Sequence, residues 1–260
     1  MELIDIGANL TKSNFNNIPA VLDEAYEYWV SDIIITGTSA KASEDALQIV
    51  KQYDGKVKLY STAGCHPHDS KHYKQESGDR LRKLLTDPKV VAVGEMGLDY
   101  ERMFSSKKDQ HDAFRDQLLI AAETGKPVFL HERGGCADDF LDIIKDYKGK
   151  EVVHCFTGDA ATVKRYLDRG FHIGITGWIN DERRNQDLKK ALPLIPPERL
   201  MIETDAPFLT PIEAIRDTGK KRNVPGNLVY VLKKIAGELG MDQDVLAKQV
   251  TANTKAFFQI

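Results

Sequence analysis

Cysteine is scarce in this chain, and Cys65, Cys136 and Cys155 include no Cys-x-x-Cys pair and cannot close an even disulfide framework. That excludes a small disulfide-stapled module and fits a reducing, cytoplasmic setting. No apolar run reaches the roughly 18 residues needed to cross a bilayer, and Met1-Glu2-Leu3-Ile4-Asp5 carries no basic region followed by a long apolar stretch. Membrane insertion and export are therefore not expected. Neither a Gly-x-Gly-x-x-Gly turn nor a Gly-x-x-x-x-Gly-Lys loop is present, which argues against a nucleotide-binding open sheet. Charge of one sign is lacking too: 36 Lys and Arg stand against 39 Asp and Glu, a formal net charge of -3. Bulk attraction to a polyanion is absent, so a nucleic-acid partner has to be argued from a local site.

What is there is a recurrence of short apolar or β-branched runs with amphipathic segments between them, the pattern of buried parallel strands under covering helices. The runs are Leu3 to Leu10, Asp32 to Gly37, Val57 to Ala63, Val90 to Gly94, Pro127 to His131, Glu151 to Phe156, Phe171 to Thr176 and Leu200 to Thr204. Helices are expected near Ile18 to Trp29, Ser43 to Tyr53, Asp109 to Thr124, Cys136 to Tyr147, Ala160 to Arg169, Asn227 to Leu239 and Gln243 to Phe257, with Gly125 as a stop and Asp242 as a cap. Eight such units in 260 residues predict one α/β domain spanning 1–260, a (β/α)8 TIM barrel of the metal-dependent hydrolase type.

In a barrel the carboxyl strand ends share one rim, and ionisable residues are expected there. Strand three runs into Gly64-Cys65-His66-Pro67-His68, strand four into Gly94-Glu95-Met96-Gly97-Leu98-Asp99, and strand five into His131-Glu132-Arg133. Strand six ends His154-Cys155-Phe156, and strand eight ends Glu203-Thr204-Asp205-Ala206-Pro207. Glu95, His131 and His154 make a sensible ligand set for a divalent ion, Mg, Mn or Zn. Asp205 either completes that shell or takes the proton of a water made more acidic by the metal. A lone strand-end histidine is as readily a hydrogen-bonded structural residue; the coincidence of four such residues at four strand ends favours a site. His72, His111 and His172 lack this placement and read as surface or packing histidines.

Around the rim, the guanidinium of Arg133 suits phosphate, and His66 and His68 can donate to phosphate or to a leaving oxygen. Arg222, in the basic run Lys220-Lys221-Arg222-Asn223, is either a further phosphate contact or part of a solvated loop, and Trp178 either a platform for an unpaired base or a ring that packs its loop; Tyr100, Phe104 and Phe156 are other rings near the rim. A hydrolase of a small amide, lactone or phosphoester would use nearly the same centre, and a non-catalytic binding protein is a third reading. A channel long enough for several nucleotides separates the first from the second, and an open metal position beside Asp205 argues against the third.

Taken together and in order, Asp5-Ile6-Gly7-Ala8-Asn9-Leu10-Thr11 and the strand-end blocks above resemble the TatD family of metal-dependent deoxyribonucleases, closest to its bacterial TatD branch, within the amidohydrolase-like barrel superfamily. The resemblance covers nearly the whole chain, as far as Ala252-Asn253. It implies metal roles for Glu95, His131, His154 and Asp205. It also implies 3′-to-5′ exonuclease action on single-stranded or frayed DNA, in a DNA repair setting and with no obligate protein partner. Many members carry His-x-His at the end of strand one, where this chain has Gly7 and Asn9. Gly7 offers no ligand and the Asn9 amide is a weak one, so one firmly bound ion is expected and a second only when substrate adds donors. After His131 the family usually continues x-Arg-Asp; Arg133-Gly134 keeps the arginine and loses the acid.

Overall fold

The computed structural model describes residues 1–11 and 14–260. Among these, eight parallel strands neighbour one another in chain order: β1 (Leu3–Ala8), β2 (Val30–Ile35), β3 (Lys58–Ala63), β4 (Val90–Asp99), β5 (Val128–Arg133), β6 (Glu151–Val153), β7 (His172–Ile175) and β8 (Leu200–Ile202). Their helices are α1 (Ile18–Glu27), α2 (Ala40–Gln52), α3 (Gln75–Leu85), α4 (Lys107–Thr124), α5 (Ala137–Ile144), α6 (Ala160–Asp168), α7 (Gln186–Ala191), α8 (Ile212–Thr218), α9 (Leu228–Leu239) and α10 (Gln243–Phe258). This is the expected (β/α)8 order. Every residue of β1 and β4 is buried, which is why those strands read as continuous runs and not as alternation.

The described chain divides into two compact units. One comprises Met1–Ile35, Tyr53–Leu59 and His154–Ile260. In it β1 pairs with β2 and β7 with β8, and the segment after β8 returns to β1. The Asp205 N–H donates to the Gly7 carbonyl at 2.8 Å and the Asn9 N–H to the Ala206 carbonyl at 2.7 Å. Asp5, fully buried, accepts the N–H and the hydroxyl of Thr204. Burial pushes its carboxyl up to about 8 while those hydrogen bonds pull the other way. Helix α10 packs on β1 and β8, and Asp242 caps it by accepting the N–H groups of Asp244 and Val245.

The other unit comprises Thr36–Gln52 and Tyr60–Val153. Its longest pairing joins β4 to β5, from Val93 opposite Val128 to Asp99 opposite Arg133. Helix α4 begins at Ser106, whose hydroxyl accepts the Asp109 N–H, and ends at Gly125 in the left-handed region at φ 67°. Two buried glutamines, two helical turns apart on α4, reach loops that carry site residues. Gln117 accepts the Cys65 N–H at 2.7 Å and donates to the Cys65 carbonyl; Gln110 accepts the Asp99 N–H at 2.8 Å and donates to the Asp99 carbonyl. A buried amide that satisfies both backbone groups of one residue fixes that residue's place without a second strand.

Strand β4 departs from expectation by continuing beyond Gly94 to Asp99. Gly94 and Gly97 sit at φ 140° and 142°, and a Cβ at either would lie 2.2 Å from the Phe129 carbonyl oxygen or 2.0 Å from that of His131. Here the glycines let β4 press against β5 where any side chain would force them apart, so residues that look like breakers belong to the strand. Helix α3 was not expected either. Its stretch is dense in charge, and only Leu81 and Leu85 give it an apolar stripe; Arg80 pairs with Glu44 and Arg82 with Glu123 through the guanidinium forks.

Candidate metal centre

In the unit holding β4 and β5, Glu95 and His131 are buried and half-buried His66 stands beside them. Glu95 Oε1 lies 2.9 Å from His131 Nδ1 and 3.2 Å from His66 Nε2, and the two ring nitrogens are 3.3 Å apart. The far nitrogen of His131, Nε2, faces Asp99 Oδ2 at 3.2 Å. His68 Nε2 reaches the same oxygen at 2.8 Å, and the Asp99 Oδ1 accepts the N–H groups of Glu101 and Arg102. Burial works against a charge on Asp99, but these hydrogen bonds outweigh it and hold the carboxyl well below its ordinary range. Asp99 thus faces one ring nitrogen of His131 and Glu95 the other, the placement by which an outer carboxylate orients a metal-ligating histidine.

His66 differs. Burial keeps its imidazole below the ordinary histidine value, so the ring is neutral near pH 7. Its Nδ1 accepts the His68 N–H at 3.0 Å, which places the ring proton on Nε2. His66 therefore offers an N–H beside Glu95. The donor atoms of His66, Glu95 and His131 all lie within 4.8 Å of one another; with His66 Nε2 protonated, Glu95 and His131 are the members of this cluster suited to a divalent cation.

In the unit holding β1 and β8, His154 follows β6 and is buried, with Nδ1 3.3 Å from Glu203 Oε2. Glu203, with no exposed surface, also accepts the Cys155 N–H through Oε1 at 2.5 Å. The contact with His154 repeats the carboxylate-to-histidine pattern seen at Asp99 and His131. Asp205 sits in the left-handed region at φ 54°, and its Oδ1 accepts the Asn9 side-chain N–H at 2.9 Å. Asn9 thus turns its amide nitrogen, which cannot ligate a metal, towards Asp205.

Comparison with protein families matches residues 4–259 to the TatD related DNase model. The chain belongs to that family. Among TatD relatives, it is 42% identical over 262 residues to the 3′-5′ ssDNA/RNA exonuclease TatD of Citrobacter koseri, covering 99% of both chains. It is 40% identical, over the same share of both, to the protein of that description from Escherichia coli K12. Solved structures of the TatD family are similar throughout. A hydrolase from Entamoeba histolytica superposes with a TM-score of 0.89 at 28% identity, covering 99% of this chain and 98% of that one. A TatD homologue from Escherichia coli K12 gives 0.86 at 26%, with the same coverage.

The other residues singled out by sequence take these places. Arg133 closes β5 and is half-buried, its carbonyl accepting the Tyr100 N–H. Trp178 is half-buried, with its Nε1 donating to the Arg184 carbonyl and the Arg184 guanidinium 4.2 Å from its ring centre. Arg222 is exposed and its guanidinium lies 5.3 Å from the ring of Phe15. Burial pushes the Cys65 thiol up to about 12, so the cysteine beside His66 is not an activated nucleophile. Asp99 and Glu203 were not assigned roles from the sequence, although both fall inside the motif blocks; a carboxylate at a strand end near a ligand-type histidine was the available signal. Exchanging Glu203 for glutamine keeps the shape and turns an N–H against either His154 or Cys155. Metal affinity is expected to fall by about 10- to 100-fold with little change in unfolding temperature. Manganese titration by calorimetry measures it, and an affinity within twofold of the parent protein would remove Glu203 from the site.

Proposed function

We propose that this chain is a metal-dependent 3′-to-5′ exonuclease of single-stranded or frayed DNA, and that Glu95, His131, His154 and Asp205 are its metal-centre residues. The observation that carries the reading is the buried Glu95–His131 pair beside the neutral N–H of His66, in a chain of the TatD family. A resident divalent ion, Mg, Mn or Zn, supplies Lewis acidity towards phosphoryl oxygens and lowers the pKa of water. One firmly held ion is proposed, because Gly7 has no side-chain donor and Asn9 offers only a neutral amide oxygen.

The chain's own groups account for the rest. Asp205, half-buried and fixed at Oδ1 by Asn9, is the base that takes the proton of the attacking water. The His66 Nε2–H and the Arg133 guanidinium donate to non-bridging oxygens as negative charge builds at phosphorus. His68, held on Asp99, aligns the approach of substrate, and Arg222 and Trp178 contact the strand farther out by charge and by stacking. Donors that are held in place before substrate arrives need no reorganisation at the moment of reaction. A surface of net charge -3 then suffices, since only a short strand end has to be held.

The test compares two single-stranded oligonucleotides, one blocked at the 3′ end and one at the 5′ end. The 5′-blocked strand is expected to be digested and the 3′-blocked strand to persist. Equal digestion would replace exonuclease with internal cleavage. Failure on both, together with rapid hydrolysis of a small cyclic amide, would select a small-molecule hydrolase.

A further inference from the structure

Phe104 is 56% exposed, and Met103 before it is 42% exposed at φ 50°. The segment carrying them is nonetheless tied down at both ends by residues of the candidate centre. On one side the N–H groups of Glu101 and Arg102 bind Asp99. On the other, Ser105 is buried; its hydroxyl donates to the His68 carbonyl at 2.8 Å and accepts the Lys71 N–H at 3.1 Å, and its carbonyl accepts from Gln110. The ring of Phe104 stands edge-on to His68 with centroids 4.7 Å apart, and His68 stands 4.2 Å from His66 in the same way. The exposed ring is therefore two ring-to-ring steps from the Nε2–H beside Glu95.

Leaving this ring in water contributes nothing to folding, while the hydrogen bonds around it remove the freedom it would otherwise lose on binding. We infer that Phe104 is a stacking platform for an unpaired nucleobase adjoining the phosphate held at His66, an inference that rests on the nuclease reading above. A flat apolar face recognises any base without reading its edge, which suits an enzyme that shortens strands of any sequence. The base lies on Phe104 while its phosphate meets the donors at the cluster, so the ring sets how far the strand end enters.

The test is equilibrium binding by fluorescence anisotropy, with Ca2+ present, of a single-stranded oligonucleotide and of the same strand with abasic residues at its 3′-terminal positions. Phe104→Ala is expected to weaken binding of the intact strand by about tenfold, Phe104→Leu to weaken it nearly as much, and Phe104→Trp to retain it. The abasic strand should bind the parent protein and Phe104→Ala alike. Equal binding of the intact strand by parent and Phe104→Ala, full retention by Phe104→Leu, or an undiminished Phe104→Ala loss on the abasic strand would each overturn the inference. Circular dichroism melting confirms that the variants are folded. Adding Mn2+ and following cleavage tests the nuclease reading separately: ring-dependent binding without cleavage upholds Phe104 and defeats that reading.

Discussion

Replacing His131 with alanine is expected to lower turnover on single-stranded DNA by a factor on the order of 10³. The side chain links Glu95 at 2.9 Å and Asp99 at 3.2 Å, so its loss removes the proposed ligand and also the histidine that Asp99 faces. Stability should change much less. Asp99 keeps its bonds from His68, Glu101 and Arg102, and no large apolar side chain is lost from the core. The clearest reading is the melting temperature with and without divalent ion. At about a hundred times its dissociation constant an ion stabilises the native state by about 2.7 kcal/mol, a rise of roughly 5 to 10 °C for a chain of this size. The parent protein should show that rise and His131→Ala should not. A variant that melts far lower without metal and loses activity only in proportion would make His131 a structural residue.

The second large effect is expected at Asp205. Asp205→Asn preserves volume and removes the group assigned to proton transfer, so kcat should fall by about 10²- to 10⁴-fold while KM for the oligonucleotide moves by less than about tenfold. The amide of Asn9, which now donates to Asp205 Oδ1, retains an acceptor in the variant, so the turn after β8 should hold. Single-turnover kinetics separates the chemical step from release. A loss confined to KM would move Asp205 from proton transfer to substrate binding.

How far the sequence discloses such a site can be seen in particular elements. Strands β5 and β7 lie within two residues of where apolar runs placed them, because buried parallel strands leave an uninterrupted signal. The second half of β4 was hidden, since Gly94 and Gly97 carry a breaker's composition and their role depends on how close β5 lies. Helix α3 was hidden for another reason: its apolar stripe is only Leu81 and Leu85 in a stretch dense in charge. Glu95, His131, His154 and Asp205 stood out because each is an ionisable residue at or just beyond the end of an apolar run, although Glu95 and His131 lie inside β4 and β5. Asp99 and Glu203 did not, because an orienting carboxylate is defined only by the histidine it touches, and those histidines lie 32 and 49 residues away. The tautomer of His66, likewise, follows from one backbone N–H, that of His68, and from nothing in its motif.

On the proposed mechanism, the buried Glu95–His131 pair is part of the metal centre on which hydrolysis depends. Crystals of the protein grown with Mn2+ and measured on both sides of the manganese edge test it most directly. One strong anomalous peak is expected in the substrate-free protein, within bonding distance of Glu95, His131 and His154, and it should disappear in His131→Ala. Two fully occupied, closely spaced peaks would contradict the single resting ion. No peak at Glu95, under conditions in which the same preparation degrades DNA with added Mn2+, would contradict the metal centre itself.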